Sequence, residues 1–148
     1  MNLKYMDIAY EEALKAFELG EIPVGCVIVK DDEIVCRTHN LKESNNCAVD
    51  HAEIIAIKEA SSKLNNWRLD GCDIYITLSP CPMCASALKQ SRINNIYCGI
   101  TNNMYDTDLI KNILLNKDNN SDVNISFDLD KTRCGNLLKK FFKLRRFD

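Results

Sequence analysis

The fold is decided by one stretch of the sequence, DIYITLSPCPMCASALKQ at residues 73–90. Residues 73–78 are rich in β-branched and aromatic side chains, which predicts a buried strand. Pro80 and Pro82 then interrupt the strand, and because Pro82 suits the first turn of a helix, we expect a helix from there to about Gln90. A strand that leads directly into a helix is typical of α/β domains.

The same alternation continues on both sides of this stretch. The predicted helices cover residues 3–19, 51–64, 82–90, 106–116 and 130–145, and the predicted strands cover residues 24–29, 33–37, 73–78, 96–100 and 123–127. The turn at Asp31 and Asp32 joins the first two strands into a hairpin, whereas helices between the later strands predict parallel pairing. Asp50 is expected to cap the second helix, and residues 116–121 are expected to form a loop.

Composition places the chain among ordinary globular proteins. It has 148 residues, of which 46% are hydrophobic and 27% charged. Its longest apolar run, near residues 24–29, is far short of the roughly 20 residues that a membrane span needs. No basic and apolar leader opens the sequence, so we expect a cytoplasmic protein with reduced thiols. Taken together, the patterns predict a three-layer α/β/α sandwich with a mixed five-stranded sheet, forming one domain over residues 1–148.

Charge is unevenly distributed along the chain. The net charge is −2, which gives no case for nucleic-acid binding by the chain as a whole. Seven of the 19 basic residues nevertheless fall between Lys131 and Arg146. The last predicted helix, with its basic end at about residues 130–146, is therefore either a phosphate-binding surface or a solvated face.

Two short motifs carry metal-binding chemistry. One is His51-Ala52-Glu53 and the other is Cys81-Pro82-Met83-Cys84, and each falls at the start of a predicted helix. A Cys-x-x-Cys pair alone is typical of redox and structural zinc sites. With one imidazole it gives three ligands, and a tetrahedral zinc ion with three protein ligands keeps a fourth position for water. We therefore predict one catalytic zinc ion per chain, held by His51, Cys81 and Cys84.

Glu53 lies beside the predicted ligands. At two residues from His51 it is too close to serve comfortably as a further ligand, yet near enough to reach a water on the metal. Zinc lowers the pKa of bound water from about 15.7 toward about 7. We therefore predict that Glu53 is the catalytic residue that moves protons between this water and a substrate.

This combination is the known signature of zinc-dependent nucleobase and cytidine deaminases. Within that superfamily the sequence resembles the tRNA-specific adenosine deaminases, from about residue 5 to residue 146. The similar segments, in the same order, are EIPVG at 21–25, HAEI at 51–54, NWRL at 66–69, ITLSPCPMC at 76–84, SRI at 91–93 and FFKLRR at 141–146.

The resemblance implies a cytidine deaminase-like fold and a cytoplasmic homodimer. It implies hydrolytic conversion of the wobble adenosine of a tRNA anticodon loop to inosine, by attack of a zinc-activated water. Asn40, Val24 and the backbone N–H of Ala52 match the base-binding positions of that family. Four basic side chains of the last helix are the candidate RNA contacts: Lys139, Lys143, Arg145 and Arg146.

Other interpretations remain open at this point. Residues 101–107 lack the lysine and the glycines that this family usually carries there, which leaves the RNA contacts and the substrate undecided. One alternative is a small-molecule deaminase acting on guanine, cytosine or a nucleoside. Another is a non-catalytic, zinc-stabilised binding module, although a structural zinc has no need of Glu53. Asn40 alone also fits a turn residue, and Phe141 and Phe142 are interpreted as core residues.

Overall fold

The computed structural model describes residues 1–115 and 123–145. Over these residues helices and strands follow one another in the order predicted. The elements are α1 (Lys4–Glu18), β1 (Gly25–Lys30), β2 (Glu33–His39), α2 (Ala52–Leu64), β3 (Cys72–Leu78), α3 (Pro82–Gln90), β4 (Asn95–Ile100), α4 (Thr107–Leu115), β5 (Asn124–Ser126) and α5 (Lys131–Arg145). The loop predicted at residues 116–121 lies outside the described residues.

The strands form one mixed sheet in the order β2-β1-β3-β4-β5. β1 pairs antiparallel with β2 and with β3. β3, β4 and β5 run parallel, because α3 and α4 carry the chain back between them. Asp31 and Asp32 both adopt positive φ, at 50° and 61°, which matches the twist of a two-residue hairpin turn. The predicted mixed five-stranded sheet is thereby confirmed.

Helices cover both faces of the sheet, as predicted. Along β1, Cys26 and Ile28 belong to one buried cluster, whereas Val27 and Val29 belong to the other. This alternation is the period-two pattern of a strand buried on both sides. The first cluster includes residues from α2, α3 and α4: Ala52, Ala56, Ala60, Ala85, Leu88, Ile110 and Leu114. The second includes residues from α1: Tyr5, Met6 and Ala9.

Small differences from the predicted elements have local causes. β2 extends two residues further than predicted, to His39, because its end stays paired with Gly25 of β1. The prediction that Asp50 caps α2 is wrong, since His51 occupies the N-cap position. Asp50 instead accepts a hydrogen bond from the side chain of Asn45 at 2.8 Å.

All eight cysteines are free thiols. No helix in the described part of the chain is long and apolar enough to span a bilayer.

Gly25 permits the close packing of α1 on the sheet. A Cβ atom at this position would collide with the Ala9 carbonyl oxygen and would lie 2.8 Å from the Glu12 carbonyl carbon. Backbone atoms of a packed helix have little room to move, so we expect Gly25→Ala to lower the free energy of unfolding by about 3 kcal/mol. Urea denaturation of both proteins measures the difference in the free energy of unfolding.

The control is Gly71→Ala, where the added Cβ is 3.8 Å from Lys30 Cε but the backbone φ is +78°. Backbone strain of about 1–2 kcal/mol is the expected cost there. An unfolding free energy for Gly25→Ala equal to that of the unmodified chain would show that α1 is not held at this contact.

Candidate active site

Two helix N-termini meet at the predicted metal ligands. His51 is the N-cap residue of α2, and Cys81 is the N-cap residue of α3, which begins at Pro82. Both cap residues have extended backbones, with ψ of 153° and 169°. The positive ends of two helix dipoles therefore point toward this region, which favours thiolate over thiol.

The three predicted ligands lie together. His51 Nδ1 is 3.7 Å from Cys81 Sγ and 3.6 Å from Cys84 Sγ, and all three donor atoms lie within 4.8 Å of one another. A zinc ion bound at about 2.1 Å from nitrogen and about 2.3 Å from sulfur in tetrahedral geometry separates those two atoms by about 3.6 Å. The donor types and their spacing therefore fit one tetrahedral zinc ion.

The two sulfurs of this cluster differ in how readily they lose a proton. A hydrogen bond from the Cys84 thiol, reinforced by His51, lowers the pKa of Cys81 to about 4 against the opposing effect of burial. The same hydrogen bond, together with burial, raises the pKa of Cys84. One sulfur is thus held as a thiolate beside the imidazole. A divalent cation would take the place of the remaining thiol proton, since metal ligands bind in their deprotonated forms.

Glu53 lies next to the ligand cluster, near the start of α2. Its side chain is buried, and it shares a hydrogen bond with Cys84. Burial raises the pKa of its carboxyl group, because the charged form loses its hydration. A carboxyl group with a raised pKa holds a proton more readily than usual, so next to a metal site it can accept a proton from water and return it to a substrate.

A cavity of about 460 Å³ opens onto Glu53 and two of the predicted ligands, His51 and Cys81. The predicted base-binding residues Val24, Asn40 and Ala52 all line it. The cavity has further lining residues that were not predicted as site residues: Ile22, Lys42, Leu78, Ser79, Ile100, Thr101, Asn102, Asn103, Met104, Tyr105, Gly135, Leu138 and Phe142. Many of them follow β3 and β4, and the carboxyl ends of parallel strands are where α/β sheets bind ligands. Applied to the predicted ends of β3 and β4, this rule could have identified the lining residues that follow those strands.

Asn40 is fixed by the backbone on both sides. Its Nδ2 donates to the Ile22 carbonyl oxygen at 3.2 Å, and its Oδ1 accepts from the Lys42 N–H at 3.1 Å. Its own N–H donates to the Val24 carbonyl oxygen. A carboxamide has two N–H groups and two acceptor lone pairs, so one of each remains for a ligand in the cavity.

Glu21 anchors the loop that follows Asn40. Its buried carboxylate accepts hydrogen bonds from the backbone N–H groups of Glu43 and Ser44 at 3.0 and 2.6 Å, and from the Ser44 hydroxyl at 2.6 Å. Burial alone would raise the pKa of Glu21, but these hydrogen bonds outweigh it and lower the pKa. The loop carrying Lys42 is therefore held against the cavity by a carboxylate.

Glu12 anchors the end of β2 to α1. Its carboxylate accepts hydrogen bonds from Lys15 Nζ at 2.6 Å and Arg37 Nε at 2.9 Å, and its other oxygen lies 2.9 Å from His39 Nδ1. Burial opposes ionisation of Glu12, but hydrogen bonds from Lys15, His39 and Arg37 prevail and lower its pKa below 4.5. This cluster fixes the strand immediately before Asn40.

A depressed pKa in the folded protein makes stability depend on pH. The contribution of Glu12 is present above its unfolded pKa, near 4.5, and is lost as pH falls through the lower folded pKa. We expect Glu12→Gln to lower the free energy of unfolding by about 2 kcal/mol at pH 7, with a smaller difference from the unmodified chain near pH 4. Urea denaturation at both pH values measures this.

Glu11→Gln is the matched control. Glu11 also pairs with Arg37, at 2.9 Å, but its side chain is 59% exposed. An exposed pair of this kind contributes about 0.2–1 kcal/mol. Equal unfolding free energies for the two variants at pH 7, or a Glu12→Gln deficit that persists unchanged in acid, would contradict the assigned role.

The candidate RNA contacts near the C-terminal end of the chain have different surroundings. Lys139 lines the cavity and Lys143 is exposed. Arg145 donates to the Gly20 carbonyl oxygen and lies over the ring of Phe141. Arg146 lies outside the described residues.

The two adjacent phenylalanines of α5 also differ. Phe141 is buried as predicted, with its ring centroid 6.0 Å from that of Phe17. Phe142 is 48% exposed and lines the cavity, so its interpretation as a core residue is wrong. Successive residues of a helix point in directions about 100° apart. The Phe141 ring therefore faces α1, whereas the Phe142 ring points away from it.

Comparison with known proteins agrees with this geometry. Residues 1–100 match the family described as the cytidine and deoxycytidylate deaminase zinc-binding region. A solved structure from a study of A-to-I editing by tRNA:A34 deaminases superposes with a TM-score of 0.82 at 28% identity, covering 92% of this chain and 99% of that one. A guanine deaminase from Bacillus subtilis superposes with a TM-score of 0.67 at 26% identity, covering 100% and 96% of the two chains.

Similarity to curated relatives extends over nearly the whole chain. The tRNA-specific adenosine deaminase of Streptococcus pyogenes serotype M18 is 38% identical over 143 residues, which are 96% of this chain and 90% of that protein. The tRNA-specific adenosine deaminase of Bacillus subtilis is 38% identical over 140 residues, covering 94% and 87%. The resemblance noted from the motifs is thereby confirmed. The chain belongs to the zinc-binding cytidine and deoxycytidylate deaminase family, with tRNA-specific adenosine deaminases among its relatives.

Proposed function

We propose that the protein is a tRNA-specific adenosine deaminase, which converts the wobble adenosine of an anticodon loop to inosine. One observation carries the proposal: the donor atoms of His51, Cys81 and Cys84 meet beside the buried carboxyl group of Glu53, at one end of a cavity lined by His51, Cys81 and Glu53. The two relatives of the same name, each 38% identical over at least 94% of this chain, support the choice of substrate.

His51 Nδ1 and the sulfurs of Cys81 and Cys84 are the ligands that would hold the zinc ion. When bound, the ion supplies a Lewis acid that makes a water molecule nucleophilic near neutral pH. The protein's own contribution is to hold Cys81 as a thiolate and to place the Cys84 sulfur and the His51 imidazole beside it. The two helix N-termini at His51 and Cys81 assist this by favouring negative charge on the sulfurs.

Glu53 moves the protons of the reaction. Adenine C6 is poorly electrophilic until a ring nitrogen is protonated. Glu53 takes a proton from the attacking water and delivers it to that nitrogen, and it then carries the proton of the new C6 hydroxyl to the departing amino group. The C6–oxygen bond forms, the C6–nitrogen bond breaks, and ammonia leaves as inosine is formed.

Asn40, Val24 and Ala52 orient the base. Asn40 offers one N–H and one acceptor to a purine edge, the backbone N–H of Ala52 offers a further donor, and Val24 forms an apolar wall. Anticodon loops present unstacked, single-stranded bases, so little energy is needed to bring adenosine into the cavity.

The remaining partners follow from the same assignment. Basic side chains at the C-terminal end of the chain contact the phosphates, and the candidates are Lys139, Lys143 and Arg145 of α5 together with Arg146, which follows α5 in the sequence. The enzyme acts in the cytoplasm, where its tRNA substrate is found, and it works as a homodimer. The support for the dimer is the similarity to tRNA-specific adenosine deaminases over nearly the whole chain.

The test is incubation of the zinc-loaded protein with an anticodon stem-loop carrying adenosine at the wobble position. We expect inosine, detected by mass spectrometry, with a KM that rises steeply with salt because phosphate contacts release counterions. Free guanine, cytosine and adenosine are assayed in parallel, since a guanine deaminase shares this fold. Turnover of a free base at a rate that salt leaves unchanged, with no inosine in the stem-loop, would favour the small-molecule deaminase instead.

A further inference from the structure

One buried hydroxyl of β2 reaches the first turn of α2, where Glu53 lies. Thr38 is buried, and its hydroxyl donates to the Ala52 carbonyl oxygen at 2.8 Å. Two residues earlier on the same face of β2, Cys36 Sγ donates to the Ala56 carbonyl oxygen at 3.4 Å. Two strand residues span about 6.7 Å and four helix residues about 6.0 Å, so both donors can reach the same side of α2.

These two hydrogen bonds are possible because α2 has small side chains on the face that packs on β2. Ala52, Ala56 and Ala60 recur every four residues along the helix, and all three are fully buried. A backbone carbonyl oxygen has two lone pairs, so it can accept from a strand side chain and still accept the hydrogen bond of its own helix. Thr38 and Cys36 therefore add contacts to α2 without interrupting it.

Cys26 fixes the direction of the hydrogen bond made by Thr38. The two residues are cross-strand partners in β1 and β2, and Cys26 Sγ lies 3.1 Å from Thr38 Oγ1. Burial, together with the nearby negative charge of Glu53, raises the pKa of the Cys26 thiol, so this thiol keeps its proton. The thiol donates to Thr38 Oγ1, because the single hydroxyl proton of Thr38 is already donated to Ala52.

The peptide group between Ala52 and Glu53 connects Thr38 to the active site. Its carbonyl oxygen accepts from Thr38, and its N–H, which belongs to Glu53, donates to the Glu53 carboxyl group. This N–H is among the first four of α2, which have no partner within the helix. Hydrogen bonds in a chain polarise one another, so a donor at the carbonyl end strengthens the hydrogen bond at the N–H end.

We propose that Thr38 is a positioning residue, whose hydroxyl holds the Ala52–Glu53 peptide group and thereby the Glu53 carboxyl group in the place where protons are transferred. The inference rests on the proposed function and adds a residue that acts through the backbone, since Thr38 neither lines the cavity nor belongs to the ligand cluster. Cys36 makes the corresponding contact one turn further along α2, beyond the helix residues that line the cavity.

The test measures kcat and KM for inosine formation by Thr38→Val, which keeps the shape of the side chain and loses the hydroxyl. We expect kcat to fall about 10-fold to 30-fold, because a misplacement of about 1 Å can cost about 100-fold in rate. The KM for the stem-loop should change by less than about twofold, since no RNA contact is removed. Thr38→Ser keeps the hydroxyl and should restore most of the lost kcat. Both variants should keep the zinc content of the unmodified chain.

Cys36→Ala is the matched control, because it removes the other donor from β2 to α2. Thermal unfolding should show a lower midpoint for Cys36→Ala and for Thr38→Val, since each loses a buried hydrogen bond. Activity is measured well below both midpoints, where both variants are folded. Under these conditions the kcat of Cys36→Ala should equal that of the unmodified enzyme.

Three results would overturn the inference. A kcat for Thr38→Val equal to that of the unmodified enzyme would show that the hydroxyl does not position Glu53. A loss of kcat that Thr38→Ser fails to restore, or that Cys36→Ala shares, would show a general effect of packing between β2 and α2. Loss of zinc by Thr38→Val would show that the contact supports His51 instead. In each of these cases the unmodified enzyme still forms inosine, whereas failure of the proposed function leaves no inosine on any stem-loop.

Discussion

Replacement of Glu53 by glutamine is expected to reduce kcat for inosine formation by about 1000-fold, with zinc content and fold retained. Glutamine has nearly the same shape and preserves a hydrogen-bonding group in the buried position beside Cys84. It cannot accept a proton from water and return it to the base. The loss should therefore appear in kcat, whereas binding of the stem-loop should change little.

Single-turnover inosine formation, zinc analysis and thermal unfolding distinguish this role from others. The control is Glu59→Gln, a change of the same chemistry at an exposed position of the same helix, for which all three measurements should match the unmodified chain. Full turnover by Glu53→Gln would exclude Glu53 as the proton carrier. Loss of zinc by this variant would mean that the carboxylate supports the metal site instead.

The fold was largely predictable because most helices and strands are marked by residues within the element itself or directly beside it. Strand β3 and helix α3 are marked by β-branched residues and by Pro82, which occupies the first turn of α3 as expected. The mixed sheet follows from one short hairpin and from the helices between the later strands. The cap of α2 was predicted wrongly, because Asp50 and His51 are both polar and only the path of the loop decides between them.

The inner part of the site was predictable for a different reason. The ligand atoms are close because two motifs each begin a helix, so their convergence required only that both helices start at the same edge of the sheet. The contacts that Glu12 and Glu21 make with distant parts of the chain have no comparable motif in the sequence. Glu12 and Glu21 are ordinary charged residues in the sequence, and only the fold buries them against β2 and its following loop.

The mouth of the cavity was the least predictable part. Phe142 follows Phe141 directly, and no local pattern distinguishes the ring that packs on Phe17 from the ring that lines the cavity. Met104 is in a loop whose residues follow no hydrophobic period. Its exposure depends on hydrogen bonds to Ser79 and Asp128 through its neighbours, and both partners are more than 20 positions away in the sequence.

Loss of one ligand sulfur should remove the metal and with it much of the stability of the site. We expect Cys84→Ala to weaken zinc affinity by more than about 100-fold, since losing even an outer-shell partner costs about 10- to 100-fold. At zinc concentrations that saturate the unmodified chain, a 100-fold weaker affinity corresponds to about 2.7 kcal/mol of lost stabilisation. Elemental analysis after dialysis and thermal unfolding with and without a chelator measure the two effects.

Cys47→Ala separates loss of a ligand from loss of a thiol. Cys47 is half-buried in the loop before His51, and it is not part of the ligand cluster. This control should keep one zinc per chain, and chelator should lower its unfolding temperature as it does that of the unmodified chain. Cys84→Ala should instead unfold at the same temperature with or without chelator, because it has no bound metal to lose. A full complement of zinc in Cys84→Ala would mean that His51 and Cys81 do not share their metal with the third sulfur, and the assigned ligand set would then be wrong.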